Sequence, residues 1–109
     1  MADLAASRPI IIDRPRGEAH PRYPDLIYPL DYGYLEGTSA ADGDSIDVWI
    51  GSQAGRALTG ILCTYDTIKR DAEIKLLLGC TETDVQTILN FNGGSMRYLY
   101  VPKPQGGKP

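Results

Sequence analysis

The chain has 109 residues, 42% of them hydrophobic and 23% charged, with a formal net charge of −3. That length sets an expectation of one domain over 1–109 with a real but thin core, and the acidic balance argues against nucleic acid as a partner. Apolar runs such as "PIII" and "LLLG" are too short to span a bilayer, and "MADLAASRP" has no apolar stretch of signal-peptide length, so a cytoplasmic protein without a membrane partner is expected.

In chain order, "PIIID" (9–13) is a short β-branched run and reads as a buried strand. The proline-rich "RPRGEAHPRYPD" (14–25) reads as loop or extended edge. "LIYPLDYGYL" (26–35) is aromatic and extended, with Pro29 excluding a helix. A polar turn segment, "EGTSAADGD" (36–44), leads into "SIDVWIG" (45–51), where Ile46, Val48 and Ile50 alternate with Asp47 and Trp49. Two further strands are expected over "LTGILCTYD" (58–66) and "DAEIKLLLG" (71–79). In the second, Ile74, Leu76 and Leu78 share one face while Glu73 and Lys75 share the other.

"ETDVQTILNF" (82–91) is the helix: Thr81 is its expected N-cap, and Asp84 three residues on completes a capping box. Val85, Ile88 and Leu89 form its apolar stripe, and "NGG" (92–94) ends it. "MRYLYV" (96–101) reads as a last strand before a loose C-terminal tail, giving an ordered core over about 8–102. Cys63 and Cys80 form neither a CxxC pair nor a secreted framework, and are read as small buried hydrophobes in a reducing compartment. Five or six short strands with one helix make a mainly β (α+β) fold, a small barrel of about five strands with one C-terminal helix.

The chemistry concentrates in "AADGDSIDVWIG" (40–51), where Asp42, Asp44 and Asp47 precede an apolar strand. Carboxylates this dense repel one another and resist desolvation. A solvated turn accounts for the stretch, since "DGD" is an ordinary turn signal. A divalent metal site accounts for it too, provided the chain bends at Gly43. Oxygen donors without histidine suit Mg²⁺, or alternatively Mn²⁺, better than zinc. The spacing lacks the glycine and glutamate of an EF-hand.

Other polar groups extend the metal reading. Glu73 and Lys75 can point together into one cleft. Arg14, Arg16 and Arg22 crowd the early loop, and Tyr28, Tyr32 and Tyr34 follow it. Taken alone, the arginines read as solvated loop charge and the tyrosines as half-buried strand aromatics. His20 reads as a loop residue without a role. Together, carboxylates for metals, cations for anionic oxygens and phenols as donors make a kit for phosphoryl transfer to water.

"YPLDYGYLEGTSAADGDSIDV" resembles the soluble inorganic pyrophosphatases, whose motifs read Y-P-x-N-Y-G-Y and then D-G-D-P-x-D-V. Both motifs occur here in order and at the family's interval. Upstream, "IDRPRGEAHPR" is similar to the family's first strand, with Asp13 and Arg22 in its acidic and basic places. Downstream, "RDAEIK" is similar to the acid-x-Lys strand, with Glu73 and Lys75 in those places and either Asp71 or Asp66 as the remaining acid. The resemblance covers about residues 9 to 80.

The chain departs from that pattern at several points. Ser45 stands where the family has proline and Asp31 where it has asparagine. Only Tyr23 to Ile27 fill the place of a hairpin that carries a phosphate-binding arginine, and the C-terminal Tyr-Lys pair has no counterpart. The resemblance is therefore to a short, truncated branch.

The resemblance implies a small OB-like barrel and Mg²⁺-dependent hydrolysis of pyrophosphate. It implies that Asp42, Asp47 and an acid of the Asp71/Glu73 strand hold metal, with Asp13 a further acid. Asp44 is the candidate base or water-orienting group, and Lys75, Arg22, Tyr28 and Tyr32 bind phosphate, Lys75 and Tyr32 next to the chemistry. Two alternatives stand beside this: a hydrolase of another phosphoanhydride, such as a nucleotide diphosphate, and a metal- or phosphate-binding module without turnover. A thin core also favours pairing into a homo-oligomer.

Overall fold

The computed structural model describes residues 9–37, 45–92 and 96–103. Six strands and one helix follow one another as β1 (Ile10–Arg14), β2 (Asp31–Leu35), β3 (Asp47–Ile50), β4 (Leu58–Asp66), β5 (Asp71–Leu78), α1 (Glu82–Asn92) and β6 (Met96–Pro102). The strands form one sheet in the order β1-β2-β3-β5-β4-β6. Neighbours are antiparallel except β3 and β5, which run parallel.

The mainly β reading with one helix holds, and the six strands among the described residues fall within the expected five or six; the barrel does not, because the sheet is not closed. Closure needs a ladder between the first and last strands of the order. Instead β1 pairs with β2 alone and β6 with β4 alone, leaving both as edges. Residue alternation fixes which side of each strand is apolar, but carries no information on whether the outermost strands meet. The proline-containing stretch 26–30 is a loop with a single bridge from Ile27 to Ala19, so β2 starts only at Asp31.

The sheet buries a different cluster on each side. On one face Leu35, Val48, Ile50, Leu76 and Leu78 pack together, backed by Ile10, Ile12, Ile46, Leu58 and Ile61. Burying each such side chain contributes roughly 1.5–3 kcal/mol. On the other face Trp49, Leu62 and Leu77 meet Val85 and Ile88 of α1, with Tyr28 and Leu30 from the loop before β2. The alternation expected for β3 is observed: Val48 and Ile50 join the first cluster, and Trp49 the second.

The helix begins with the capping box read from the sequence. Thr81 Oγ1 accepts from the Asp84 backbone N–H at 3.1 Å, and Asp84 Oδ2 accepts from the Thr81 N–H at 2.9 Å. The same Oδ2 accepts from the Ser52 N–H and hydroxyl, both at 2.8 Å, tying the β3–β4 connection to the helix start. The residues beyond Asn92 that were expected to end the helix lie outside the described ones, as does the tail after Lys103. Both cysteines are free, and burial first, then Asp84, pushes the Cys80 thiol up to about 12. Among the described residues no helix is long and apolar enough to cross a membrane.

Gly33 explains the middle of the "YGY" motif. A Cβ at this position would lie 1.9 Å from the Ile11 carbonyl oxygen, so only glycine lets β1 come this close to β2. The register of that pair shifts between Ile12, opposite Gly33, and Arg14, opposite Tyr32, leaving Asp13 as an extra residue.

Candidate active site

Residues opposite one another across a ladder share a face. Asp47 is opposite Lys75 across β3 and β5, and Tyr32 is opposite Trp49 across β2 and β3. Glu73 precedes Lys75 by two, so Tyr32, Asp47, Glu73 and Lys75 all project from the helix-bearing face, beyond the area α1 covers. They line one cavity of about 590 Å³, together with Asp13, Arg14, Arg22, Tyr28, Asp66 and Lys69.

Lys75 is the hub. Its Nζ donates to the Tyr32 hydroxyl at 2.5 Å and stands 3.0 Å from Glu73 Oε1 and 3.7 Å from Asp47 Oδ2. It also lies 4.9 Å from the Tyr32 ring centroid, a cation–π distance. Tyr32 passes its own proton on, donating to Asp47 Oδ2 at 2.5 Å. Burial first, then the charge and hydrogen bond of Asp47, hold the Tyr32 phenol far above its ordinary range, so it stays a donor at any working pH. The packing under this network is aromatic: Trp49 meets Tyr32 edge-on at 4.8 Å, and Tyr28 lies 5.7 Å from Tyr32. The network is thereby held in place.

Asp47 carries the strain of the arrangement. Burial raises its carboxyl above the usual value, Tyr32 and Lys75 oppose that rise, and Glu73 and Asp13 add to it. A carboxylate kept in a half-buried place beside two like charges favours a cation. Donor chemistry fits a hard one: every acidic group on the cavity offers oxygen. No three acidic, histidine or cysteine side chains among the described residues gather as a ready-made metal cage. Mg²⁺ does not require one, since it is usually bound through one or two carboxylates with water and substrate oxygens completing its shell.

The positions expected from the sequence divide as follows. Asp13, Arg22, Tyr28, Tyr32, Asp47, Glu73 and Lys75 come together on the cavity. Asp42 and Asp44 lie outside the described residues. Of the two candidates in the β4–β5 hairpin, Asp66 lines the cavity; its Oδ1 also accepts from the Ile68 and Lys69 N–H groups of the turn. Asp71, directly opposite it, is exposed and does not line the cavity.

Four more residues line it: Arg14, which the sequence offered only as one of the loop cations, His20, which was given no role there, and Lys69 and Phe91, which were not expected at the site. Arg14 arrives through the shifted register at Asp13, which lets two consecutive residues reach one cavity, a use to which bulges near active sites are put. No local signal marks that shift. His20 arrives by packing against Tyr28 of the same loop region, and Phe91 by packing on Tyr28 from the far end of α1. The described lining holds four basic side chains (Arg14, Arg22, Lys69, Lys75) and four acidic ones (Asp13, Asp47, Asp66, Glu73), so its wall is formally neutral.

No protein-family model matches the chain, and no curated protein does. Among solved structures it is similar to an inorganic phosphatase from Anaplasma phagocytophilum, with a TM-score of 0.58 at 15% identity, covering 85% of this chain and 81% of that one. It is also similar to an inorganic pyrophosphatase from Coxiella burnetii, with a TM-score of 0.56 at 14% identity, covering 86% and 83%. The chain has a pyrophosphatase-like fold. That fold is what places the β3 and β5 polar residues side by side, through the parallel pairing of two strands far apart in sequence.

Proposed function

We propose that the protein hydrolyses inorganic pyrophosphate to two phosphates with Mg²⁺. The observation that carries this reading is the Lys75 network, an ammonium tied at once to Tyr32, Asp47 and Glu73 on the wall of a cavity in a pyrophosphatase-like fold. In this reading Lys75 and the Tyr32 hydroxyl turn their donors onto phosphate oxygens, and Arg14 and Arg22 neutralise the other phosphate. Asp47, Asp13 and Asp42 would hold the metal, and Glu73 would keep Lys75 in place when Asp47 is engaged. Bound Mg²⁺ supplies charge neutralisation and a water acidified towards neutral pH. Asp44 would be the group that orients the attacking water or takes its proton.

The formally neutral charge of the described wall supports the metal requirement independently. A polyanionic diphosphate gains no net attraction from equal numbers of basic and acidic groups, so positive charge has to arrive with it. The test is phosphate release from pyrophosphate by the purified chain, with Mg²⁺ and with chelator. Release that stops on chelation is the expected result. Mg²⁺ binding without release from any phosphoanhydride favours the binding-module reading, and neither binding nor release removes the proposal.

A further inference from the structure

One end of the cavity carries the Lys75 network. The other end is aromatic, and the proposed chemistry does not use it. A volume of about 590 Å³ lies within the roughly 300–1,000 Å³ of cavities that hold drug-sized ligands, and a bare diphosphate is far smaller than those. Tyr28 links the two ends. Its ring centroid lies 5.7 Å from Tyr32 and 6.0 Å from His20, whose plane is within 4° of parallel to it. His20 in turn lies 5.1 Å from Tyr23.

His20 is held in a defined orientation. The Arg22 backbone N–H donates to its Nδ1 at 3.0 Å, which makes Nδ1 an acceptor and leaves the ring proton on Nε2. Burial, then Arg14, Arg22 and Lys69, lower its pKa, so the ring is neutral at neutral pH and presents a flat face and an N–H donor. Beside it Tyr23 is 56% exposed and Leu26 39% exposed, an apolar surface at the cavity wall. Arg14 Nη1 donates to the Tyr28 hydroxyl at 3.4 Å, placing a cation where the polar and aromatic ends join.

We propose that this cavity accepts a diphosphate carrying a planar heteroaromatic group, the nucleoside diphosphate class, with the ring stacked on the His20–Tyr23 wall and the terminal phosphate at Lys75 and Tyr32. The inference rests on the Mg²⁺-dependent hydrolase reading above and widens its substrate from pyrophosphate to this class. The span from Tyr32 to His20 is at most two ring-to-ring steps, comparable with the sugar that separates a base from its diphosphate. In the reaction, a water oxygen bonds to the terminal phosphorus and the bridging P–O bond breaks. The nucleoside monophosphate leaves with the bridging oxygen and its electron pair. Hydrogenphosphate keeps one water proton, and the other passes to solvent.

The experiment compares phosphate release with Mg²⁺ from pyrophosphate, a purine nucleoside diphosphate and methyl diphosphate, which has the ester but no ring. A ring seated on the aromatic wall gives the nucleoside diphosphate a kcat/KM roughly tenfold or more above methyl diphosphate, the scale of one base–aromatic stack. Tyr23→Ala should then remove most of that advantage while the ratio of pyrophosphate to methyl diphosphate stays put. Turnover of pyrophosphate with no preference for the ring overturns this inference and leaves the hydrolase reading standing.

Should no phosphoanhydride be hydrolysed, the hydrolase reading falls. Calorimetric binding with Mg²⁺ then compares a methylene-bridged nucleoside diphosphate with methylenediphosphonate. Tighter binding of the first that Tyr23→Ala weakens supports the ring site, and equal or weaker binding overturns it.

Discussion

Two aspartates about as far apart in role as one fold allows sit at the helix start and on the cavity wall. Asp84 is buried, which raises its carboxyl. Hydrogen bonds with the backbone and side chains of Ser52 and Thr81 outweigh that rise and hold it below the usual value. Asp47 is raised by burial as well, but it has one phenol and one shared ammonium to set against Glu73 and Asp13, and it stays raised. The lesson is that burial alone does not make a carboxylate functional. What separates them is whether the protein supplies enough donors to satisfy the charge or leaves the deficit for something else to fill.

The largest expected effect breaks the comparison at Asp47. Replacing it with asparagine keeps size and a hydrogen-bond acceptor but removes the charge, so Mg²⁺ affinity should fall at least about 100-fold by calorimetric titration. In chelator the same variant should be neutral or slightly more stable than the parent in urea unfolding, because a half-buried carboxylate with too few donors has been discharged. Marked destabilisation in chelator with unchanged Mg²⁺ affinity would make Asp47 a structural acid like Asp84.

Asp84→Ala should behave in the opposite way. It strands the Ser52 and Thr81 N–H groups and removes the cap, a loss of about 2 kcal/mol by urea unfolding, with Mg²⁺ affinity unchanged. The pH dependence sharpens this. A carboxyl held below its unfolded value adds stability that is fully present above the unfolded pKa of about 3.9, and that stability is lost as pH falls through the lower folded value. Unfolding midpoints measured from pH 6 downward should therefore drop less steeply for Asp84→Asn than for the parent. An equally steep drop would show that the cap is not the source of that acid sensitivity.

The smallest effect is expected at Asp31. At the start of β2, its Oδ1 accepts from the N–H of Arg16 in an exposed turn at 2.8 Å, and it does not line the cavity. Asparagine keeps that acceptor, so Asp31→Asn should change stability by about 0.5 kcal/mol or less and leave Mg²⁺ affinity alone. A large loss of affinity here would mean that the metal reading has been attached to the wrong acids.

Much of the fold was legible where its causes are local. Thr81 and Asp84 announce a helix start within four residues, since the capping bonds join groups that close in sequence. β4 spans the stretch expected for it, and Asp47 and Trp49 share a face opposite Val48 and Ile50, since a strand's side chains alternate whatever lies around it. The seven expected site residues that line the cavity were findable because their types suit phosphate and metal, and the resemblance supplied their grouping.

What only the tertiary structure decided are matters of distance between remote segments. The parallel pairing of β3 with β5 brings Asp47 opposite Lys75, and no pattern within either strand specifies its neighbour. Asp66 reaches the cavity wall and Asp71 does not, although both acids face each other across one ladder. His20 joins the site because Tyr28 is buried under it, and Arg14 because the register slips at Asp13. The open edges at β1 and β6 belong here too. Alternation along a strand records which face is dry, whereas closure depends on where the ends of the whole sheet come to rest.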